Sequence, residues 1–520
     1  MLNADLVLYN AKVYTLNRKK PEAQAIAIKG NKIAAVGSNA QILRLKTSKT
    51  NAIDLKGKTV LPGFVDCHIH IRSYAKTLEQ TELRDVTSIK QLQQRLRQAA
   101  ARKPTNAWIT TRGFDEEKFR EKRLPTRFDL DKAVPDHPVL VTRVCGHLSV
   151  VNTEALKLAN ITRNTLIEGG IIEKDQKTGE PTGVLLENAQ NLVATIIPEP
   201  DEKELLRIYE RACTNAAEKG LTTVHCIIND PQDVSILHEL SKQNKLRLRV
   251  RLIIPVKYLN KVDKFAAIEN DKIKMGSIKI FADGSLGART AALHKPYADD
   301  KTTKGALTYS QKKLEKLLLE VHEKGYQFAV HAIGDKATES VLNALEKAST
   351  KEPKKDHRHR IEHASVLNKK LIRRMKKLGI VASVQPHFIT SDFWVVKRLG
   401  ERRARWTYAL KSLFKKGVIA CGGSDCPIEP IDPLLGIWAA VARRSFLQER
   451  LTIDEAIQMY TKNAAFASHE ETVKGLIERG KLADLTVLAK DPYKLEADNI
   501  RDIEVDMTIV DGQVVYARRH

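Results

Sequence analysis

Both ends of the chain alternate apolar and polar positions in the two-residue period of half-buried strands. DLVLYNAKVYTL (residues 5–16) is rich in β-branched and aromatic residues, and AIAIKGNKIAAVG (25–37) is two apolar runs joined at Gly30-Asn31. The C-terminal end repeats the pattern: KLADLTVLAKDP (481–492) stops at Asp-Pro, and VDMTIVDGQVVYA (505–517) turns at Asp511-Gly512. These segments predict a composite β-sandwich domain, built from residues 1–61 and 470–520.

Between them the pattern changes to short apolar runs separated by helical stretches, the mark of parallel βα units. Eight runs read as strands: TVLPGFVDCH, LTTVHCII, LRVRLIIP, GSIKIFAD, YQFAVHAI, HRIEHA, GIVASVQP and GVIACGGSD. KKLEKLLLEVHEKG and KKLIRRMKKLG carry apolar residues at three-to-four spacing and stop at Gly325 and Gly379. Eight such units close into a (β/α)8 TIM barrel, expected over residues 62–74 and 205–469. The gap between the first two strands is too long for one crossover and has strands and helices of its own. Residues 75–204 therefore read as an inserted α/β domain, hung by sequence order on the loop after strand one and expected to act as a lid.

Composition adds little to this α/β picture. A chain of 520 residues suffices for two or three folding units. Its six cysteines form no CxxC pair or short disulfide-like spacing, which predicts free thiols in a reducing cytosol. No signal-peptide layout and no run of about 20 apolar residues occurs, so a cytoplasmic protein without a membrane partner is expected. The formal net charge of +24 comes from scattered Lys and Arg with no nucleic-acid-binding signature. It reads as a basic surface able to steer an anionic substrate, not as a nucleic-acid partner.

The candidate chemistry lies at the strand ends. His68 and His70 are two apart in LPGFVDCHIH, so both imidazoles face one side of the strand, as a metal-binding pair requires. His331 ends QFAVHAIGD, His363 lies in HRIEHA, and Asp425 follows Gly422-Gly423 in ACGGSDCPI. Pro427 and the irregular segment after it argue against Asp425 being a helix N-cap. In GSIKIFADGS, Ser277, Lys279, Phe281 and Asp283 alternate with a helix-facing set, and so are expected to point inward. A buried lysine needs a partner. Two remain open: an ion pair, for instance with Asp283, or a CO2-derived carbamate that turns Lys279 into an anionic ligand.

These residues, together with RGFDEEKF, LPTRFDLD, GHLSVVNTEAL, GEPTGVLLE, IKIFADGSLGARTAAL, HAIGDKA, SVQPHF, GGSDCPIEPIDPLLGI, LTIDEAIQMYTKNAA and KGLIERGKLADLTVL, resemble the amidohydrolase superfamily. Within it they resemble amidohydrolase family 3, the group with N-substituted formamide deformylase-like enzymes. The resemblance implies a barrel with a composite β-sandwich and one or two divalent ions, usually zinc. It implies His68, His70 and Asp425 on one ion, His331 and His363 on the other, and Lys279 bridging as the carbamate. It further implies Asp66 supporting the histidine pair, His147 facing substrate, and Asp283, Arg289 and Gln385 near the rim. Asp425 and His363 would take part in catalysis with His147. Cys145, Phe114 and Cys226 depart from the family pattern and bear on the substrate pocket. The expected reaction is hydrolysis of a C–N bond in a small-molecule amide, N-formyl or related compound, by an enzyme for which a homodimer is possible. The competing readings are a nucleobase-like deaminase, set back by Asp335 where such enzymes carry a glutamate, and a non-catalytic metal-binding scaffold, set back by the full set of ligand positions.

Overall fold

The computed structural model describes residues 3–143, 146, 148–167 and 169–519. The chain forms two compact units, 1–74 with 209–520, and 75–208.

The first unit holds an eight-stranded sheet: β1 (Phe64–Ile69), β2 (Leu221–Ile227), β3 (Arg249–Pro255), β4 (Ile273–Phe281), β5 (Gln327–Ala332), β6 (Arg360–His363), β7 (Val381–Val384) and β8 (Ala420–Gly422). Every neighbouring pair is parallel, and spatial order follows chain order. The sheet closes just beyond the last strand, where Ile69 bridges Cys426 in parallel. There the Asp425 amide donates to the His68 carbonyl at 2.8 Å, and the His70 amide to the Cys426 carbonyl at 2.9 Å. The TIM barrel expected from the eight apolar runs is present, and its seam runs through three of the candidate ligands.

Local sequence explains the helices around it. Pro231–Lys242 begins with Pro after an Asp230 N-cap, and Gln311–Glu323 is capped by Ser310 and buries Leu314, Leu318 and Val321. Asp432 caps Pro433–Val441, so Asp425 is free of that duty.

The barrel interior is strongly polar. Arg249 pairs with Asp484 and Asp511, Arg251 with Glu470, and Arg360 with Glu362, and all three arginines are buried. Buried charge is tolerated because each guanidinium meets a carboxylate.

The same unit contains two further sheets, of four strands (order Lys32–Gly37, Ala25–Lys29, Leu6–Tyr9, Asn51–Asp54) and of six. In the six-stranded sheet Leu485–Leu488 runs antiparallel to Thr59–Pro62, which joins the two chain ends. Leu6, Ile26, Ile33, Val60, Leu485 and Ile509 from both sheets share one core. The second unit is a six-stranded mixed sheet with Gly170–Lys174 at one edge. Its helix Ile89–Ala100 packs Ile89, Leu92 and Leu96 against that sheet. Phe114 lies in this core, 6.0 Å from the Phe119 ring.

Candidate metal centre

Alternation along β1 puts Asp66, His68 and His70 on one face, while Val65 and Cys67 pack outward against Ala464 and Ala467. His68 is the centre of the cluster. Its Nε2 is 3.3 Å from Lys279 Nζ and 3.4 Å from Asp425 Oδ1, and Asp425 Oδ1 is 3.2 Å from His70 Nε2. The His68 ring lies 4.9 Å from that of His363, which lies 4.5 Å from that of His331. All six residues read as ligands are thus drawn into one connected group from the ends of β1, β4, β5, β6 and β8. Within it His68, His363 and Asp425 offer donor atoms within 4.8 Å of one another, close enough for a single ion.

Two of these residues are placed by unusual backbone. His363 follows Glu362, so regular alternation would turn it to the other face. It adopts φ +72° instead, and Asp425 adopts φ +57°. Non-glycine residues in the left-handed region are uncommon and gather at functional sites. Gly423 permits the close approach of this loop to β1. A Cβ there would lie 2.8 Å from the His68 amide nitrogen and 3.0 Å from Asp66 Oδ1.

Two of the rings are held from behind, while His331 Nε2 itself meets the Gly284 carbonyl at 3.0 Å. Glu362 accepts from His68 Nδ1 and is itself gripped by Arg360, whose Nε is 2.8 Å from its Oε1. Gln385 Oε1 is 2.7 Å from His363 Nδ1. Both contacts leave Nε2 as the outward donor, the arrangement that fixes a ligating imidazole. Glu362 is absent from the sequence-derived set, which takes the terminal histidine of HRIEHA. The available signal was the strand period, which puts 360 and 362 on the same inward face.

Burial and neighbouring cations hold His68 and His363 well below the usual histidine pKa, and His331 is lowered to about 3 by burial with Lys279 nearby. These imidazoles are neutral at pH 7, the form a metal needs. Burial also lowers Lys279 to about 8, against the pull of Glu362 and Asp425. An amine so shifted is partly unprotonated near neutrality. The donor set of buried neutral nitrogens, one carboxylate and a weakly basic amine fits a divalent metal ion.

The remaining candidates are placed differently. Asp66 Oδ1 accepts from the His68 and Ser424 amides at 3.0 Å each, tying β1 to the loop after β8. Asp283 accepts from the amides of Ala292, Ile333 and Gly334 at 2.8–3.0 Å, so its oxygens are used by loop backbone and make no ion pair with Lys279. Phe281 is 44% exposed, at the rim and not inside the barrel. Its ring sits 4.9 Å from Lys279 Nζ and 5.3 Å from the His331 ring. Arg289 pairs with Asp299 at 3.0 Å and takes no part in the cluster's hydrogen bonds. His147 and Cys145 lie outside the described residues.

A sequence model of the amidohydrolase family matches residues 51–516. The chain belongs to the amidohydrolase family. It is 36% identical over 524 residues, 97% of this chain and 98% of the relative, to YtcJ of Bacillus subtilis (strain 168), which is named as an amidohydrolase. It is 28% identical to the N-substituted formamide deformylase of Arthrobacter pascens, covering 99% of this chain and 98% of that one. Among solved structures, a metal-dependent hydrolase of Pyrococcus furiosus with no assigned activity superposes with a TM-score of 0.80 at 32% identity, over 94% of this chain and all of the other. For this amidohydrolase, then, the cluster of His, Lys and Asp at the strand ends and the family agree on metal-dependent chemistry.

Proposed function

We propose that this amidohydrolase cleaves the C–N bond of a small-molecule amide, N-formyl or related compound with an activated water. The observation that supports this most is the gathering of neutral imidazoles, Lys279 and Asp425 at the C-terminal rim of one barrel, where TIM-barrel active sites lie. His68, His70 and Asp425 would hold one ion, zinc by its donor set, and His331 and His363 a second. When bound, such an ion lowers the pKa of water and polarises a carbonyl.

The chain's own groups do the rest. Asp425, near both His68 and His70, takes a proton from the attacking water and returns it to the leaving nitrogen. Glu362 and Gln385 keep His68 and His363 in the tautomer that presents Nε2. The unprotonated Lys279 amine adds to CO2 and releases a proton, which yields a carbamate whose oxygens suit two cations. No observation favours the deaminase or scaffold readings over this one: Asp335 Oδ1 is occupied by the His294 amide at 3.0 Å.

The same proposal includes a composite β domain (1–61, 470–520), a barrel (62–74, 205–469) and an inserted lid (75–204) that leaves the chain soon after His70. It also includes a cytoplasmic location and no nucleic-acid partner. No helix among the described residues is long and apolar enough to cross a membrane. Light scattering would separate monomer from homodimer. The deciding experiment is a panel of N-formyl compounds and simple amides with zinc-loaded protein and its Asp425→Asn variant. Turnover by the parent, and its collapse by roughly 100- to 10,000-fold in the variant, are expected. Equal rates in the two proteins would remove Asp425 from the mechanism.

A further inference from the structure

An aromatic side chain stands against the candidate ligands at the barrel mouth and is left partly uncovered. Phe281 is the last residue of β4, two positions beyond Lys279 and so on the same face of the strand. In the pairing of β4 with β5 it lies beside His331. Its ring centre is 5.3 Å from that of His331, with the two planes tilted by 38°, and 4.9 Å from Lys279 Nζ. Both distances place the ring directly against the candidate metal cluster.

Burial along β4 shows which way the free part of the ring faces. Ser277, Ile278, Lys279, Ile280, Ala282 and Asp283 are all buried, whereas Phe281 is 44% exposed. Ile278 and Ile280 on the outer face are fully buried, so the exposure does not come from that side. A side chain on the inner face meets solvent through the open end of the barrel, and this is the end where TIM-barrel active sites lie. A phenyl ring that only covered Lys279 would be buried with it; this one keeps a free surface at the mouth. Its surroundings are apolar and firmly packed. Ile333 and Val366, just beyond His331 and His363, share one apolar cluster with Leu286 and Tyr297 from the loop after β4. The Val366 amide donates to the Ile333 carbonyl at 2.9 Å, which ties the loops after β5 and β6 together. Small-molecule sites owe much of their selectivity to such apolar and aromatic walls beside a few polar groups.

We infer that Phe281 is a specificity residue whose uncovered ring receives an aromatic substituent of the substrate, so that the preferred substrates are amides or N-formyl compounds bearing an aromatic ring close to the bond that is cut. A flat ring suits this wall better than an alkyl chain, because ring–ring contact adds to the gain from the apolar area removed from water. The inference rests on the hydrolase reading for the site and names its substrate class.

Binding of metal-chelating probes tests this without turnover. Acetohydroxamic acid, phenylacetohydroxamic acid, hexanohydroxamic acid and the monohydroxamate of succinic acid differ in what they place beyond the chelating group. Calorimetric titration of the zinc-loaded full chain should show the phenyl-bearing probe binding roughly tenfold or more tighter than acetohydroxamic acid, and tighter than the alkyl probe. Phe281→Ala should abolish that gain while zinc content is retained. Phe281→Leu, which keeps apolar bulk without a ring, should lose most of it, and Phe281→Tyr, which keeps the ring, should preserve it. Equal binding of all probes, an equal gain for the alkyl probe, preference for the carboxylate-bearing one, binding of none, or a uniform loss of all four in Phe281→Ala would overturn the inference. Failure of the hydrolase reading is separate: amides would go unhydrolysed whatever their substituent, while the phenyl preference among hydroxamates and its loss in Phe281→Ala persisted.

Discussion

Glu362 carries more of the site than its place in the sequence suggests. It is fully buried, receives His68 Nδ1 and is answered by Arg360, which also donates to the Cys67 carbonyl at 2.7 Å and to Ser383 Oγ at 3.0 Å. Glu362→Gln keeps the shape but removes the charge that faces Arg360 and His68. Zinc affinity is expected to fall roughly 10- to 100-fold, as measured by competition with a chromophoric chelator. An unchanged affinity would show that Glu362 serves the barrel interior alone. Lys279 bears a separate prediction. Its amine is lowered to about 8, so raising the pH from 7 toward 8 increases the unprotonated fraction that can take up CO2. Protein equilibrated with bicarbonate should gain a 13C-carbamate signal over that range, and Lys279→Met should lack it.

At the scale of the element, the decisive feature is how β1 and β8 meet. The bridge from Ile69 to Cys426 and the bonds around it close the barrel at the level of the ligands. The candidate metal site and the barrel closure are therefore built from the same turn of chain. Gly423→Ala would put a methyl group 2.8 Å from the His68 amide nitrogen, against backbone that cannot yield without moving the ligand. A loss of about 1–3 kcal/mol is expected from such overpacking, with reduced zinc content measured on the folded fraction. Gly287→Ala is a control, since its Cβ meets nothing nearer than 3.6 Å; similar losses in both variants would show that the crowding at Gly423 is not the cause. The eight barrel strands, the hairpin turns and the helix stops at Gly325 and Gly379 were legible in the sequence, because they depend on local period and on Gly, Pro or Asn at turns. The inward placing of His363 was not, because it depends on a positive φ that the strand period does not announce.

At the scale of the whole molecule, acid sensitivity should come from a histidine cluster outside the candidate metal-binding set. His322 Nδ1 is 2.7 Å from His359 Nε2, and His322 Nε2 is 2.7 Å from the Glu352 carbonyl. The Phe328 amide donates to His359 Nδ1 at 3.1 Å, and the His357 ring stacks 4.4 Å from that of His359. Both ring nitrogens of His359 are thus engaged, so a further proton on that ring has no acceptor. Burial and the neighbouring rings hold His359 well below the ordinary value and His357 at about 4. The unfolded chain thus binds more protons than the folded one between about pH 6.5 and 4. Stability is complete above that window and declines as the pH falls through it. The urea midpoint should drop accordingly, and less steeply in His359→Gln. A flat profile in the parent protein would exclude the cluster as its acid-sensitive point.

What the sequence determined by itself is the set of local choices: which runs are strands, where they turn, and which strand ends carry His68, His70, Lys279, His331, His363 and Asp425. Those follow from period, turn chemistry and residue type, each of which acts over a few positions. What only the tertiary structure decided is how those ends meet, that Asp283 serves loop amides and not Lys279, and that Glu362 stands behind His68. These depend on contacts between residues far apart along the chain. Their energies come from burial and partner choice, which no local pattern encodes.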